Sequence, residues 1–529
     1  MKRSGPSPRA FTAPPLAAPS WGRWVLLASC VLAVLRLFYA SLVELAPQEA
    51  YYWQYSRHLE LSYFDHPPMS AWLIALSVRL IGVTELGVRL PAVVSGALLT
   101  WVLYSLGARL YSPAVGALTA LAANTTVLLG LGAVVMTPDV PLVLFWAAAL
   151  RVLCELVLPD GAGAGRAGFR WYLLGLLCGL AMLSKYTAAL LPPQILVTAL
   201  LLPRGRAALR LPHPYLGLVL ALAVFSPVFI WNAQHAWASF SFQTQGRLQS
   251  VTGFQPHLAG RYFGLQAVAV GPLLYLELLF TAALLVRRSL LDDPRARLLC
   301  LSSVPGLVLF TVVSPCHWVK MNWVAPAYLG LLVAAASGWY ESRQRGGRLG
   351  YGLASMGVGA LLVLGMYLMP LWPLIPFRER DNLVSGWREL ASHVQRFREQ
   401  AGSEGTQPLV VGWSYKTASE LAFYLPDHPE TQSDTALGGP GLAYDFWIDR
   451  VGRGQDAIVV ADARQPLRDA ATRLPAHCGA VRELPPVTVH RGERAVTTFH
   501  LWYCSQWHLT GQAAERPPEI TLGAPGGRR

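Results

Sequence analysis

Gln48-Glu49-Ala50-Tyr51-Tyr52-Trp53, then Tyr63-Phe64-Asp65-His66-Pro67-Pro68, then Glu85-Leu86-Gly87-Val88-Arg89-Leu90-Pro91 follow one another between two long apolar runs. A polar and aromatic segment in that setting reads as a loop at a membrane surface. A loop that only joins two spans has no need of two acids, a histidine and a Pro-Pro stop in so short a stretch. The segment therefore predicts an active site at the water–lipid boundary.

The composition fixes the class around it. The 529 residues are 53% hydrophobic and 14% charged, with a mean hydropathy of +0.38, whereas a soluble domain carries about 25% charged residues. Apolar stretches near the ~20 residues that cross a bilayer recur along the chain. The expected architecture is a mainly α, polytopic transmembrane bundle. The formal net charge is +13, but the basic residues fall in short clusters between spans. That is the pattern of topology control and not a phosphate-binding stripe, so nucleic acid is excluded as a partner.

A first span covers residues 24–42 behind Lys2, Arg3, Arg9 and Arg23. It is too long for a signal-peptide core and reads as an uncleaved anchor. Further spans are expected near 89–108, 113–133, 138–156, 171–189, 190–203, 213–231, 262–286, 298–314, 323–340 and 350–370, about eleven in all. Every second connection is rich in arginine: Arg109, then Arg166 and Arg170, then Arg204, Arg206 and Arg210, then Arg287 to Arg297, then Arg343 to Arg348. The positive-inside rule places these and the N-terminus in the cytosol. The opposite side of a cytoplasmic (inner) membrane then receives the 45–88 loop, the Met136–Asp139 turn, the 231–261 loop and the Cys316–Asn322 turn. It also receives everything after residue 371.

Four regions are expected: a disordered cytosolic tail over 1–20, a transmembrane catalytic domain over 21–372, an external (periplasmic) α/β domain over 373–512 and a disordered tail over 513–529. In the α/β domain, strands are expected at 407–413 and 456–461 and a helix at 417–424. Two further strands, at 487–490 and 495–503, suggest a hairpin across Arg491-Gly492-Glu493. Cys30, Cys154, Cys178 and Cys300 lie in or beside apolar runs and read as small hydrophobes. Cys478 and Cys504 would form a disulfide if their region lies outside the cytosol. No cysteine or histidine spacing suggests a zinc site.

Ionisable residues at membrane depth are functional candidates, and Glu49, Asp65, Asp139 and Lys185 all fall close to span ends on one side. Here the residues carry a family resemblance. Glu49–Trp53, Tyr63–Pro68 and Glu85–Leu90 resemble the first external loop of polyprenyl-phosphate-sugar-dependent glycosyltransferases of the GT-C fold. That family includes aminoarabinose:lipid A transferases and protein O-mannosyltransferases. The likeness continues through Thr137-Pro138-Asp139, Gly179–Tyr186, Trp231-Asn232 to Arg247, and Lys320–Pro326, thus over about residues 20–345. It implies displacement of a sugar from a polyprenyl phosphate by an acceptor, with inversion. It leaves the acceptor open among lipid A, lipopolysaccharide, another glycan and a protein.

Such chemistry needs a carboxylate for the acceptor, cations for the leaving phosphate and a groove for the isoprenoid. The resemblance implies Glu49, Asp65 and His66 as catalytic. It implies Gln48, Tyr52, Asp139, Lys185, Tyr186, Asn232, Arg247, Lys320 and Asn322 as substrate-binding. Two departures matter. Gln48 stands where many relatives have an acid, which moves the base to Glu49 or Asp65. His66 stands where relatives of the aminoarabinose type have lysine. It would contact phosphate or pair with Asp65, with a charge that varies with pH. No cofactor is expected, because Lys and Arg can neutralise a single lipid phosphate without a metal.

Structural readings compete at each position. Glu49 would be a solvated loop acid, Asp65-His66 a cap before the two prolines, Asp139 the N-cap of the next span and Lys185 a snorkelling lysine. Arg247 and Lys320 would meet lipid headgroups, and Tyr51, Tyr52, Trp53 and Tyr55 would form an interfacial aromatic belt. The rival function is a lipid or solute transporter, which would carry its polar residues at mid-membrane.

Overall fold

The computed structural model describes residues 20–158, 167–246, 253–291, 293–343, 347–372, 383–402, 407–433, 435–437, 440–447, 454–464 and 470–508. Both tails read as disordered, save Ser20, lie outside the described residues, as does Arg247.

The apolar runs fold into helices α1 (Trp21–Leu42), α2 (Pro47–Arg57), α3 (Met69–Ile81), α4 (Glu85–Leu110), α5 (Pro113–Asn124), α6 (Val127–Gly132), α7 (Asp139–Val157) and α8 (Ala167–Ser184). They continue as α9 (Leu191–Leu201), α10 (His213–Gln234), α11 (Pro256–Val270), α12 (Pro272–Leu290), α13 (Pro294–Val313), α14 (Ala325–Glu341) and α15 (Gly347–Leu371). Local chemistry sets several of their starts. Thr84 Oγ1 accepts from Gly87 N at 3.0 Å to begin α4, and Asp293 Oδ1 accepts from Arg295 N at 3.0 Å behind Pro294 to begin α13.

Among the described residues, seven helices are long and apolar enough to cross a bilayer: α1, α4, α7, α10, α13, the Met321–Glu341 stretch that contains α14, and α15. The predicted span over 262–286 is a bent pair instead. α11 and α12 meet at 107°, because Gly271 takes φ +98° and Pro272 has no N–H to continue the ladder. The predicted spans 113–133, 171–189 and 190–203 fall on shorter apolar helices, the first of them broken at Thr125-Thr126 between α5 and α6. Only when these three are counted with the eight is the expected eleven reached. Trp24, Phe38, Val219 and Leu361 stand exposed on helix surfaces, as they must where the outer face meets hydrocarbon. The protein is a multi-pass membrane protein.

The 45–88 segment is not an irregular loop. Pro47 and Met69 open two helices, α2 and α3, which lie packed beneath a C-terminal domain. That domain comprises α16 (Trp387–Ala401), β1 (Leu409–Gly412), α17 (Tyr415–Tyr424), β2 (Thr431–Gln432), β3 (Ala457–Asp462), β4 (Ala480–Arg491) and β5 (Arg494–Ser505). Its sheet has the order β2-β1-β3-β5-β4. β1 runs parallel to β2 and β3, with Val410 opposite Ile458, and β5 runs antiparallel to β3 and β4. The expected hairpin turns at Gly492, φ +62°.

Two elements of this domain escape sequence reading: β2, which is two residues long, and α16. The latter was nonetheless written in the buried spacing of Trp387, Leu390, Ala391 and Val394. Cys478 and Cys504 are bonded, with Cα atoms 5.3 Å apart. The domain docks on the bundle through Tyr424, whose hydroxyl accepts from Leu45 N at 2.7 Å, and through Glu44, which accepts from Trp387 N at 2.9 Å. Ion pairs Arg57–Glu430, at 2.8 Å, and Arg388–Glu85 flank these contacts.

Candidate active site

Glu49 is the third residue of α2 and reaches back to accept from Ala46 N at 3.0 Å. The rest of its carboxylate is committed as well. Arg89 donates from Nη2 to Oε2 at 2.6 Å and from Nε to Oε1 at 2.9 Å, and Met136 N donates to Oε1 at 3.0 Å. Arg89 also donates to the carbonyls of Ala40, Val43 and Glu44. The first and third quoted motifs are thus two halves of one buried ion pair that ties α1, α2, α4 and the Met136 turn together. The expectation of Glu49 near water does not hold, since the residue is fully buried.

Asp65 is the acid of the second quoted motif, and it too is buried. Tyr51 donates to its Oδ1 at 3.1 Å and Tyr55 donates to the same oxygen. These tyrosines stand one turn apart on α2, so both hydroxyls reach one point. Gln243 Nε2 donates to the Asp65 carbonyl at 2.8 Å. Oδ2 faces His66, whose Nε2 lies 3.8 Å away. Burial raises the pKa of Asp65, opposed by the Tyr55 and Tyr51 hydrogen bonds and by the positive charge of Lys320. A carboxylate with one oxygen held by two hydroxyls, the other beside an imidazole, and an affinity for protons above that of a solvated acid is suited to receive a proton.

The aromatic cluster is not an interfacial belt. Tyr51, Tyr52, Trp53 and Tyr55 are buried between the bundle and the C-terminal domain. Tyr51 packs on Tyr415 with ring centroids 4.6 Å apart and accepts from Ala443 N at 3.0 Å, and Trp53 packs edge-on against Phe423. Tyr52 meets the His66 ring at 5.6 Å.

A second junction joins three of the predicted substrate-binding residues. Lys185 Nζ meets Asp139 Oδ1 at 2.6 Å, and Asn322 Nδ2 donates to Asp139 Oδ2 at 2.6 Å. Asp139 therefore does not cap α7, whose N-cap position is Pro138 and carries no side-chain cap. Lys185 does not snorkel, because its ammonium ends in this ion pair. Lys320, exposed and two residues before Asn322, links the junction electrostatically to Asp65.

Asn232 is fully buried and accepts from Ser239 N at 3.1 Å and Phe240 N at 3.3 Å. It shapes the turn in which Ala236 and Trp237 take positive φ. Tyr186 packs edge-on against Phe240 at 5.9 Å. Gln48 is half-buried.

Beside the Lys185–Asn322 junction lies an apolar cavity of about 350 Å³, lined by residues of α7, α9, α13 and α14 with Thr187 and Trp323. It begins two residues after Lys185 and one after Asn322. Sequence reading missed Tyr51 and Tyr55 as partners of Asp65, although their i, i+4 spacing was visible. It also left Arg89 without a role, although the residue stood in the quoted third motif.

A family model described as dolichyl-phosphate-mannose-protein mannosyltransferase matches residues 65–231. Lipid A galacturonosyltransferase RgtD of Rhizobium johnstonii is 26% identical over 383 residues, which is 72% of this chain and 77% of that protein. The undecaprenyl phosphate-α-4-amino-4-deoxy-L-arabinose arabinosyl transferase of Pseudomonas paraeruginosa is 31% identical over 176 residues, covering 33% of this chain and 32% of that one. The crystal structure of ArnT from Cupriavidus metallidurans bound to undecaprenyl phosphate superposes with a TM-score of 0.62 at 18% identity, covering 92% of this chain and 98% of ArnT. The fold is that of the GT-C class of membrane glycosyltransferases. Within that class the sequence is similar to lipid A galacturonosyltransferase and to undecaprenyl phosphate-aminoarabinose arabinosyl transferase.

Proposed function

We propose that the protein transfers a sugar from a polyprenyl-phosphate donor to an acceptor of the cell envelope, at the outer face of the cytoplasmic membrane. Residues 21–372 form the catalytic membrane domain, the N-terminus lies in the cytosol, and residues 373–512 lie outside. The alternation of arginine-rich connections supports this orientation.

The observation that carries the reading is the placement of Asp65. Its carboxylate stands in the field of Lys320, and the Asp139–Lys185–Asn322 junction beside Lys320 borders a cavity suited to an isoprenoid. In the reaction, Oδ2 takes the proton of the acceptor hydroxyl as its oxygen bonds to the anomeric carbon. The bond from that carbon to the phosphate oxygen breaks, and the electron pair leaves on the polyprenyl phosphate. Lys185 and Lys320 stabilise that charge, while Tyr51 and Tyr55 fix Asp65 in position. The base role thus goes to Asp65, and Glu49 is given to the architecture.

ArnT was crystallised with undecaprenyl phosphate, and RgtD is a lipid A galacturonosyltransferase; both favour a lipid-phosphate donor and a lipid A-type acceptor here. The GT-C fold lends no support to the transporter reading. The test supplies the purified protein with undecaprenyl-phosphate-linked sugars and an envelope glycolipid. Release of undecaprenyl phosphate with glycosylation of the acceptor is expected. Donors that remain intact across the common envelope sugars sink the reading.

A further inference from the structure

The C-terminal domain has a feature that the transfer reaction alone does not use. Its three parallel strands stand in the order β2-β1-β3. The chain leaves β1 toward β2 on one side, then crosses to β3 on the other. Such a reversal opens a crevice outside the carboxyl ends of the two strands, and open α/β sheets bind their ligands there. Trp413-Ser414-Tyr415-Lys416 follow β1, and Ala463-Arg464 follow Asp462, the last residue of β3.

Charge is unbalanced at this point. Asp462 is saturated: Arg464 Nε reaches its Oδ1 at 2.9 Å and Oδ2 at 2.8 Å, and the Thr497 hydroxyl donates to Oδ1 at 3.0 Å. Lys416, half-buried, forms no ion pair or hydrogen bond among the described residues, and its ammonium lies 6.0 Å from the Tyr415 ring. Burial and the neighbouring Arg464 push its pKa down, against the pull of Asp462. Polar atoms are also left over nearby. Trp413 Nε1, Thr417 Oγ1 and Ser433 Oγ, each on a residue at most 2% exposed, have no hydrogen-bond partner among the described residues. Buried donors are almost always satisfied, so three on the residues that follow β1 and β2 call for a reason. Gly412 keeps the edge tight, because a Cβ there would meet Ala418 N at 2.3 Å and force α17 off the strand end.

The crevice is also close to the chemistry. Tyr415, beside Lys416, packs on Tyr51, and Tyr51 holds Asp65. The negative charge of Asp65 contributes to the raised pKa of Tyr415, after burial. A ligand group at Lys416 would thus be one aromatic layer from the proposed base.

We infer that the crevice at the carboxyl ends of β1 and β3, with Lys416 and Arg464 at its mouth, binds an anionic group of the acceptor, phosphate or carboxylate, and so presents the acceptor to Asp65. This rests on the glycosyl-transfer reading. The C-terminal domain then selects the acceptor, while the membrane domain holds the donor.

Initial rates with saturating donor and varied acceptor test it, using a phosphorylated glycolipid and its dephosphorylated counterpart. The unsubstituted protein should favour the phosphorylated acceptor in KM, and Lys416→Gln should erase the preference by raising that KM about tenfold, the worth of one charge-assisted contact. Lys416→Arg should retain the preference, and donor KM should stay unchanged in both variants. Equal KM values for the two acceptors in the unsubstituted protein, or a preference that survives Lys416→Gln, would overturn the inference. A binding measurement separates this from failure of the transfer reading. Inorganic pyrophosphate should raise the melting temperature of the full chain but not that of Lys416→Gln. That result with no donor turnover would sink the transferase and leave the anion site standing; an equal shift in both proteins would sink the site.

Discussion

The guanidinium of Arg89 and the carboxylate of Glu49 form a buried ion pair, Nη2 to Oε2 at 2.6 Å, with side-chain exposures of 3% and 0%. Removing one partner of such a pair leaves an uncompensated charge and costs about 3–5 kcal/mol. Glu49→Gln is therefore expected to destabilise the protein before it touches catalysis, read as a lower melting temperature in detergent. Arg89→Met combined with Glu49→Gln should recover part of that loss. A normal melting temperature with lost turnover would return Glu49 to the catalytic list.

Asp65→Asn should behave in the opposite way. Asparagine still accepts from Tyr51 and Tyr55, so the fold should survive while turnover falls by roughly 10²–10⁴-fold. Burial raises the pKa of Asp65, and a base must be ionised to act. The acid limb of kcat/KM should therefore lie above the ~3.9 of a solvated aspartate, with activity falling as pH drops through it. Lys320→Met removes a charge that favours the carboxylate and should move that limb to higher pH. A limb that does not move would separate Lys320 from Asp65.

How far the sequence reached is clearest at these two acids. Composition and arginine spacing gave the membrane class and the helical bundle, since hydrophobicity and charge act residue by residue. The quoted motifs located the site, but the division of labour within it depends on contacts between distant residues. Nothing in Glu49 itself says that Arg89, forty positions on, will occupy it, or that Asn322 and Lys185 will meet on Asp139. The aromatic residues looked interfacial because the partners that bury them, Tyr415, Phe423 and Tyr444, belong to the C-terminal domain. The breaks at Thr125-Thr126 and Gly271-Pro272 were written in breaker residues but masked by continuous hydropathy.

Lys185 and Asp139 should act as a unit. Lys185→Met should cut kcat/KM for the donor by about 10²-fold or more, the scale of a lost transition-state contact. Asp139→Asn should raise donor KM, because it loosens the ammonium that meets the phosphate. Lys320→Met should cost less than Lys185→Met at saturating acceptor. Normal donor kinetics in Lys185→Met would place the phosphate elsewhere.

Glu420 offers a check on the seam between domains. It is fully buried on α17, and neither carboxylate oxygen has a hydrogen-bond partner among the described residues. Burial raises its pKa well above the ordinary value, as do Glu44, Glu49 and Glu85, with Arg89 opposing. The folded chain thus keeps a proton that the unfolded chain releases. Its contribution to stability is complete below the ordinary glutamate pKa and is lost as pH rises through the folded value. The melting temperature should therefore fall as pH rises above the ordinary glutamate range, and Glu420→Gln should flatten that fall. Parallel profiles would show that Glu420 does not titrate between the two states.

The cavity beside Lys185 can be tested with a single glycine. Gly306 of α13 lines it, and a Cβ there would meet only Ala327 Cβ, at 3.5 Å, an ordinary contact. The Gly306→Leu side chain therefore occupies the cavity without forcing backbone apart, and the helix gains a better former than glycine. If the isoprenoid lies there, donor KM should rise about tenfold or more for a long-chain polyprenyl donor, equivalent to the loss of roughly two buried methylenes. A donor with a short prenyl chain that stops before the obstruction should be spared, and kcat with that donor should not change. Equal sensitivity of both donors would mean that the substitution acts on the fold, and indifference of both would put the isoprenoid outside this cavity.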